Sequence, residues 1–350
     1  MSLLDLKKKI EKASKGIHVS ILSESDIAHV SEWIPTPSYD LNRVLTGNLF
    51  KGLPEKSLTY LVGVEASFKS SFSCLCAANA QKQGYTPIVI DSEGAWTGDF
   101  VKRWGLDPDN MLYIYEPFVD NVCATIAQLI DSDDEKFIII LDSLGGLENE
   151  KLLTDATSGD VKADQGGLQK RIKRLLKLML NLIKKKKSIG IYTGHMYGNP
   201  GASYGPTESI GGGKFAALAP DTIIQLKKSK NIDKDKNVIG NLVTATTLKN
   251  RFYPAFNQCI IDINYTDGIQ RKAGMVELAI KAGYIDKAGA GWMTNTITNE
   301  KVQGELKAEA WINDDMLNKL NEFLEDTGYS TINEELKEEL VDAETGEVKL

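Results

Sequence analysis

The 350-residue sequence holds only four cysteines, Cys74, Cys76, Cys123 and Cys259. They stand in apolar surroundings without paired C-x-x-C spacing, which argues against a zinc site or a disulfide framework and fits free thiols in a reducing compartment. No basic N-terminal region leads into an apolar stretch, so no secretory signal is read. No run of about 18 apolar residues is present to span a membrane. The longest apolar stretch, around residues 175–183, follows basic residues and runs into four lysines. Positive charge is short as well, with 41 Lys and Arg against 48 Asp and Glu and a net charge of −7. That total gives no reason to expect a nucleic-acid partner, but its distribution does. Residues 312–350 carry twelve acids and three lysines, a net of −9 that leaves +2 on the rest of the chain. A nearly neutral body with an acidic end can still present a basic groove. Internal repeats and Pro-rich linkers are absent too, and 42% hydrophobic with 25% charged residues suits one large globular domain or two.

What is present alternates. Residues 3–14 read as a short helix and 17–22 as a short strand, an arm too small to hold a core of its own. Strand candidates follow at 57–62, 87–91, 137–141, 188–193, 221–226, 242–248 and 258–263, with helices between the earlier ones. Short apolar strands separated by helices predict an α/β fold with a mostly parallel central sheet covered on both faces. The later strands leave no room for helices between them, so antiparallel pairing is open there. Residues 271–325 read as a small mixed unit, and the last twenty, acidic and poor in aromatics, as mobile.

The strongest motif is Gly63-Val64-Glu65-Ala66-Ser67-Phe68-Lys69-Ser70, with Ser71 after it, set between a strand and a helix running to about Lys82. That is the context of a phosphate-binding loop of the Walker A type. Backbone N–H groups of the loop and helix start face the β-phosphate, Lys69 reaches the β- and γ-phosphates, and the Ser70 hydroxyl can ligate Mg²⁺. Phe68 stands where a second glycine is usual, which carries a conformational penalty wherever the backbone needs a positive φ. The apolar strand 137–141 ends in Asp142-Ser143, the pattern of a Mg²⁺-holding acid; a helix cap for residues near Leu144 is the local alternative. Ile88-Val89-Ile90-Asp91-Ser92-Glu93-Gly94 sets Glu93 just past a strand end, where ligands bind in open α/β sheets. Glu93 is there a candidate base for the attacking water, or a solvated surface acid.

Together these segments resemble the RecA family of P-loop ATPases over most of the chain. Asp-Ser-Leu-Gly at 142–145 and Phe-Lys-Ser at 68–70 look like its phage branch, the UvsX-like recombinases, in which the Phe is normal. The stretches 287–292 and 310–312 look more like the bacterial members. The resemblance implies ATP and Mg²⁺ as cofactors and a DNA-dependent ATPase acting in homologous recombination and DNA repair. Its partners would be single-stranded DNA, homologous duplex DNA, further copies of the chain in a helical filament, and single-strand-binding and loading proteins. The setting would be the cytoplasm of a bacterial or phage-infected cell. It implies water activation for Glu93 and γ-phosphate sensing for His195, whose alternative is a satisfied polar residue at a strand end. Phe100 falls nearest the family's adenine-stacking position, with core packing as its other reading. Lys249-Asn250-Arg251 resembles the segment through which one subunit reaches the ATP of its neighbour; an exposed basic pair on a sheet edge is the alternative.

Two long segments, 148–167 and 196–214, have loop composition, and such loops in a compact domain are usually functional or disordered. In the family their equivalents bind DNA. In the second, glycines Gly211, Gly212 and Gly213 permit close approach to phosphates, Tyr197 and Tyr204 offer stacking, and Lys214 offers a counter-charge. A lid over the nucleotide is the competing reading. Residues 168–187 predict an amphipathic helix with Ile172, Leu175, Leu176, Met179 and Ile183 on one side and Lys170, Arg171, Lys173, Arg174 and Lys177 on the other. That basic face is read as solvated, adding to the positive field near DNA. The expected organisation is an N-terminal polymerisation arm (1–35), a RecA-like ATPase core (36–270), a small α+β unit (271–330) and an acidic tail (331–350) that competes for the basic groove. Two alternatives remain open: a ring-shaped helicase on the same core, and a recombination mediator with little ATP turnover.

Overall fold

The computed structural model describes residues 2–13, 19–25, 29–132, 136–150, 166–198, 208–233 and 235–327. In chain order the strands are β1 (Trp33–Ile34), β2 (Leu53–Pro54), β3 (Leu58–Gly63), β4 (Thr86–Asp91), β5 (Leu112–Tyr115), β6 (Phe137–Asp142), β7 (Ile189–Gly198), β8 (Glu208–Ile210), β9 (Thr222–Ile232), β10 (Val238–Asn250), β11 (Gln258–Asn264) and β12 (Gly268–Ile269). The helices up to that point are α1 (Leu3–Ala13), α2 (Tyr39–Thr46), α3 (Lys69–Lys82), α4 (Gly98–Arg103), α5 (Val119–Asp131), α6 (Gly167–Lys185) and α7 (Gly213–Leu218).

One sheet runs in the order β12-β11-β10-β9-β3-β7-β6-β4-β5. The six strands from β9 to β5 are parallel, and β10, β11 and β12 extend the sheet antiparallel. The open question about the later strands is thereby answered: β9 and β10 form a long hairpin with a register shift between Thr247 and Lys249.

Alternation along each strand divides the core between two faces. Ile138 and Ile140 of β6 join Leu61, Val89, Ile189 and Ile191 against α2 and α3. Phe137, Ile139 and Leu141 of the same strand join Tyr60, Ile88, Ile90 and Tyr192 against α5 and α6. That is the period of two expected of a strand buried on both sides. In α5, Val119, Val122, Cys123 and Ile126 recur at three- and four-residue spacing; in α6, Ile172, Leu175, Leu176, Met179, Leu182 and Ile183 do the same. Full burial of each such aliphatic chain contributes on the order of 1.5–3 kcal/mol. Ser38 Oγ caps α2 by accepting from Leu41 N at 3.3 Å, and Gly47 ends it at φ 73°.

Residues 275–327 add α8 (Met275–Lys281), a three-stranded antiparallel sheet of β13 (Ile285–Lys287), β14 (Trp292–Asn295) and β15 (Lys301–Gln303), and helices α9 (Glu305–Ala308) and α10 (Asp314–Thr327). They share a third core of Met275, Leu278, Ile285, Met293, Ile312, Leu317 and Leu320, to which Leu49 also belongs. The expected small mixed unit is present.

Three expectations are modified. The strand expected at 17–22 is not formed over its described residues, and Leu22–Glu24 make a single 3-10 turn instead. A lone strand needs a partner edge, and one chain gives this arm none. A helix near Leu144 shrinks to one 3-10 turn at Leu144–Gly146. The segment 196–214 is not loop throughout: β7 continues to Gly198 and pairs antiparallel with β8, and α7 begins at Gly213. Residues 151–165, 199–207 with Tyr204, and the acidic tail lie outside the described residues.

Candidate nucleotide site and DNA-facing elements

The phosphate-binding loop lies where the strand-loop-helix pattern puts it, between β3 and α3. Gly63 has no space for a side chain: a Cβ there would come within 2.4 Å of Ser67 Oγ and 2.5 Å of the Leu226 carbonyl. Phe68, at φ 83°, occupies the left-handed region that a glycine would enter freely. Its ring packs edge-on against Trp104, with centroids 5.4 Å apart, and this contact offsets part of the backbone strain. Lys69 opens α3 and is buried. Its ammonium donates to the carbonyls of Gly63 at 3.1 Å and Val64 at 2.7 Å, spanning the loop. Burial pulls its pKa down, against the opposing pull of the carboxylates of Asp142, Glu93 and Glu65. The ammonium therefore sits in an acidic surround that phosphates and a divalent cation would share.

Asp142 ends β6 beside Asp91, its register partner on β4. Its Oδ2 accepts from the indole Nε1 of Trp96 at 2.8 Å, and its Oδ1 accepts from the hydroxyl of Thr193 on β7. No helix N–H is among these partners, so capping is not its role; Ser143 takes that part, accepting from Gly146 N at 3.3 Å. Ser143 Oγ also donates to Glu93 Oε1 at 2.5 Å, fixing an otherwise exposed carboxylate over the end of β6. Ser92 Oγ donates to the Ser143 carbonyl at 2.9 Å and accepts from Ser143 N at 3.0 Å, locking the ends of β4 and β6 together. Beneath them Asp91 accepts four bonds, from the backbone N–H groups of Glu93, Gly94 and Trp96 and from the Tyr113 hydroxyl. Asp91, Trp96, Thr193 and Ser143 escaped the sequence argument. For Asp91, Thr193 and Ser143 the available signal was a polar residue inside or at the end of an otherwise apolar strand, which must find hydrogen bonds once buried; Trp96, between β4 and α4, carried no such signal.

His195 pairs in register with Gly63, so it stands beside the first residue of the phosphate loop. It lies within β7 rather than in a loop, and its carbonyl accepts from Gly211 N at 3.0 Å. A cleft of about 750 Å³ opens beside the loop, lined by Ser67, Lys69, Ser70, Ser71, Arg103, Trp104, Lys228 and Tyr265 among others. Phe100 is not on that wall; it sits in the first turn of α4, packed edge-on against Trp96 at 5.2 Å. The aromatics that do face the cleft are Phe68, Trp104 and Tyr265.

Lys249 and Arg251 lie at the far end of the sheet from the phosphate loop. Asn250 pairs with Thr222 and Thr222 with Thr59, whereas the loop follows Gly63 at the other end of β3. At about 3.3 Å per residue, the length of β3 separates the two ends by roughly 16 Å. Lys249 Nζ donates to the Leu218 carbonyl, near the end of α7, at 2.8 Å, and Arg251 Nη1 meets Asp221 Oδ1 at 3.1 Å. Burial, followed by the charge of Arg251, lowers the pKa of Lys249.

Among the candidate DNA-binding residues, Tyr197 is exposed and so is Lys214. Gly211, Gly212 and Gly213 have tight surroundings of their own: the latter two have φ 80°, and a Cβ on Gly213 would lie 2.1 Å from Gln169 Oε1. On α6, Lys170, Lys173, Arg174 and Lys177 line one shallow groove, Lys173 stands 5.5 Å over the Phe215 ring of α7, and Arg171 pairs with Asp120. Among the described residues no helix is long and apolar enough to cross a membrane.

The family model described as the RecA N-terminal domain matches residues 3–270. Similar curated proteins include Protein RecA of Acholeplasma laidlawii, 28% identical over 319 residues that cover 89% of this chain and 92% of the relative. Protein RecA of Nocardioides sp. is 27% identical over 292 residues, covering 83% and 81%, and that of Clostridium acetobutylicum is 27% identical over 283 residues, covering 81% and 78%. With the phosphate loop, the paired acids and the six parallel strands already in place, the match over three quarters of its length means that the chain belongs to the RecA family of ATP- and Mg²⁺-using recombination and repair proteins.

Proposed function

We propose that this chain assembles head to tail on single-stranded DNA, binds ATP between subunits, and pairs the bound strand with homologous duplex DNA to exchange strands. The observation that carries this reading is the division of the ATPase parts between opposite ends of one sheet. Lys69, Ser70, Glu93, Asp142 and His195 gather at one end; Lys249 and Arg251 stand at the other, out of reach of the same chain's phosphate loop.

The donor set fits Mg²⁺-ATP. Ser70 and Asp142 are hard oxygen ligands, and among the described residues no cluster of three His, Cys, Asp or Glu surrounds them, as suits an ion whose shell is completed by phosphate and water. When bound, Mg²⁺ neutralises charge on the transferring phosphate. Lys69 and the loop N–H groups hold the β- and γ-phosphates. Trp96 and Thr193 keep the Asp142 carboxylate turned to the site. Glu93, oriented by Ser143, takes a proton from water as its oxygen attacks the γ-phosphorus and the bond to the β-phosphate oxygen breaks. His195, at the phosphate loop and bonded through its carbonyl to Gly211, senses the γ-phosphate. Lys249 and Arg251 of the adjacent subunit complete the site and so couple hydrolysis to assembly.

DNA is held by Tyr197, Tyr204, Lys214 and the backbone at Gly211–Gly213, with the α6 lysines adding positive field. The assembly contact is α1, whose Leu3, Leu4, Leu6 and Ile10 are all exposed and which buries no residue in its own chain. Its receiver is the outer strand β5, paired among the described residues with β4 alone, with Leu112, Tyr113 and Tyr115 exposed. A head-to-tail contact of this kind is heterologous and yields an open helix. Single-strand-binding and loading proteins act as helpers in the cytoplasm of a bacterial or phage-infected cell. Electron microscopy with ATP and single-stranded DNA tests the reading. Wild type should form filaments and show DNA-stimulated ATP hydrolysis; deletion of residues 1–22 should leave a folded monomer. Filaments persisting in that deletion, or hydrolysis indifferent to DNA, would overturn it.

A further inference from the structure

Tyr60 is the third residue before Gly63 on β3, and a tyrosine is an unusual choice inside a central parallel strand. Its ring stacks on Tyr192 of β7, with centroids 4.2 Å apart and planes 21° from parallel. Apolar burial alone would be served as well by phenylalanine. The hydroxyl, however, donates to the Gly211 carbonyl at 3.0 Å, 151 residues away. Its niche is built from glycines: a Cβ on Gly194 would lie 2.1 Å from this oxygen, and one on Gly212 would lie 3.7 Å from it. Gly211 is held from its other side by its N–H, which donates to the His195 carbonyl. His195 is itself the register partner of Gly63. One residue, Gly211, is therefore tied both to His195 beside the phosphate loop and to the strand that carries that loop.

We infer that the Tyr60 hydroxyl is a positioning group that couples DNA contact at Gly211–Lys214 to the state of the phosphate loop. The inference rests on the recombinase reading and names a link within it. Burial pushes the phenol pKa well above its ordinary value, so the group stays a donor at every working pH. A rigid tie between two sites makes the coupling reciprocal: if DNA favours the hydrolytic arrangement, bound ATP must favour DNA by the same factor. Removing one neutral hydrogen bond should change such a factor roughly three- to tenfold.

The test is Tyr60→Phe, which keeps the stacked ring, with Tyr192→Phe as comparison. The Tyr192 hydroxyl is equally buried but donates to the Ala216 carbonyl within α7 and not to Gly211. ATP hydrolysis is measured with and without a single-stranded oligonucleotide, and oligonucleotide affinity by anisotropy with a non-hydrolysable ATP analogue and with ADP. Tyr60→Phe should retain basal hydrolysis, lose three- to tenfold in DNA stimulation, and lose a similar factor from the ATP-over-ADP preference for DNA. Tyr192→Phe should keep both ratios. Gly194→Ala, which displaces the hydroxyl, should mimic Tyr60→Phe and add little to it. Unchanged ratios in Tyr60→Phe, or equal loss in both tyrosine variants, would overturn the inference. A wild type that DNA does not stimulate would instead remove the recombinase reading on which it rests.

Discussion

The two ends of the central sheet use polar residues in opposite ways. At the carboxyl end, Asp91, Ser92, Asp142, Ser143 and Thr193 bond to one another and to Trp96, and Ser143 holds Glu93, while the loop carbonyls hold Lys69 at the cleft wall. At the amino end, Lys249 and Arg251 rest on the α7 carbonyls and on Asp221, and Arg251 remains largely exposed. The first arrangement is a closed network that fixes geometry. The second holds two cations loosely at the surface, where exchanging Asp221 or a carbonyl for an incoming phosphate disrupts little. On the proposed reading, the difference means that half of the catalytic site is complete within one chain, while the other half is prepared for a neighbour.

The sharpest way to break that comparison is to disable each end separately. Arg251→Ala should lower DNA-stimulated hydrolysis by roughly 10³-fold, the lower range for a cation delivered in trans to a phosphoryl transfer. Glu93→Gln should lower it by about 10²–10⁴-fold while ATP still binds. An equimolar mixture of the two variants should recover about a quarter of wild-type activity, because in a random head-to-tail array one interface in four joins an intact Glu93 to an intact Arg251. A mixture no better than its components would place both groups in the same site and collapse the distinction between the ends.

A second experiment sharpens the network at the carboxyl end. Trp96→Phe keeps an aromatic ring beside Phe100 but removes the indole donor to Asp142. A hydrogen bond to a charged group contributes about 1.5–3 kcal/mol. The expected outcome is a loss of that size in stability by denaturant unfolding, with a weaker dependence of ATP binding on Mg²⁺. An unchanged Mg²⁺ dependence would mean that Thr193 alone orients the carboxylate.

The same contrast explains what the sequence disclosed. The phosphate loop, Asp142 and Glu93 were legible because each is tied to a local pattern, a strand end followed by particular residues. The strands were legible because burial on both faces writes them as short apolar runs. Trp96 and Thr193 were not, because their shared partner Asp142 is 46 and 51 residues away, and only the sheet order β7-β6-β4 brings them together. The antiparallel hairpin of β7 and β8 was hidden for a similar reason: three residue pairs at the rim of a glycine-rich segment carry little periodicity. The edge strand β5 was missed although Leu112-Tyr113-Ile114-Tyr115 is a short run of strand-favouring residues, of which three are exposed.

The smallest effect concerns the loop itself, where local sequence and fold pull in different directions. Phe68 holds a left-handed backbone that costs a non-glycine residue roughly 1–2 kcal/mol. Against this stand its edge-on contact with Trp104, worth about 0.5–1.5 kcal/mol, and the burial of part of its ring. Glycine would relieve the strain but would add about 0.5–1 kcal/mol of chain entropy to folding and leave Trp104 bare. The two sides nearly cancel, so Phe68→Gly should lower stability by only about 1 kcal/mol or less. Phe68→Ala keeps the strain and loses the ring, and should cost about 0.5–1.5 kcal/mol for the aromatic contact plus the buried part of the ring, more than glycine does. The order of the two midpoints in denaturant decides the matter. If alanine is tolerated better than glycine, strain is not the governing term at this position, and the aromatic contact with Trp104 does not compensate for it.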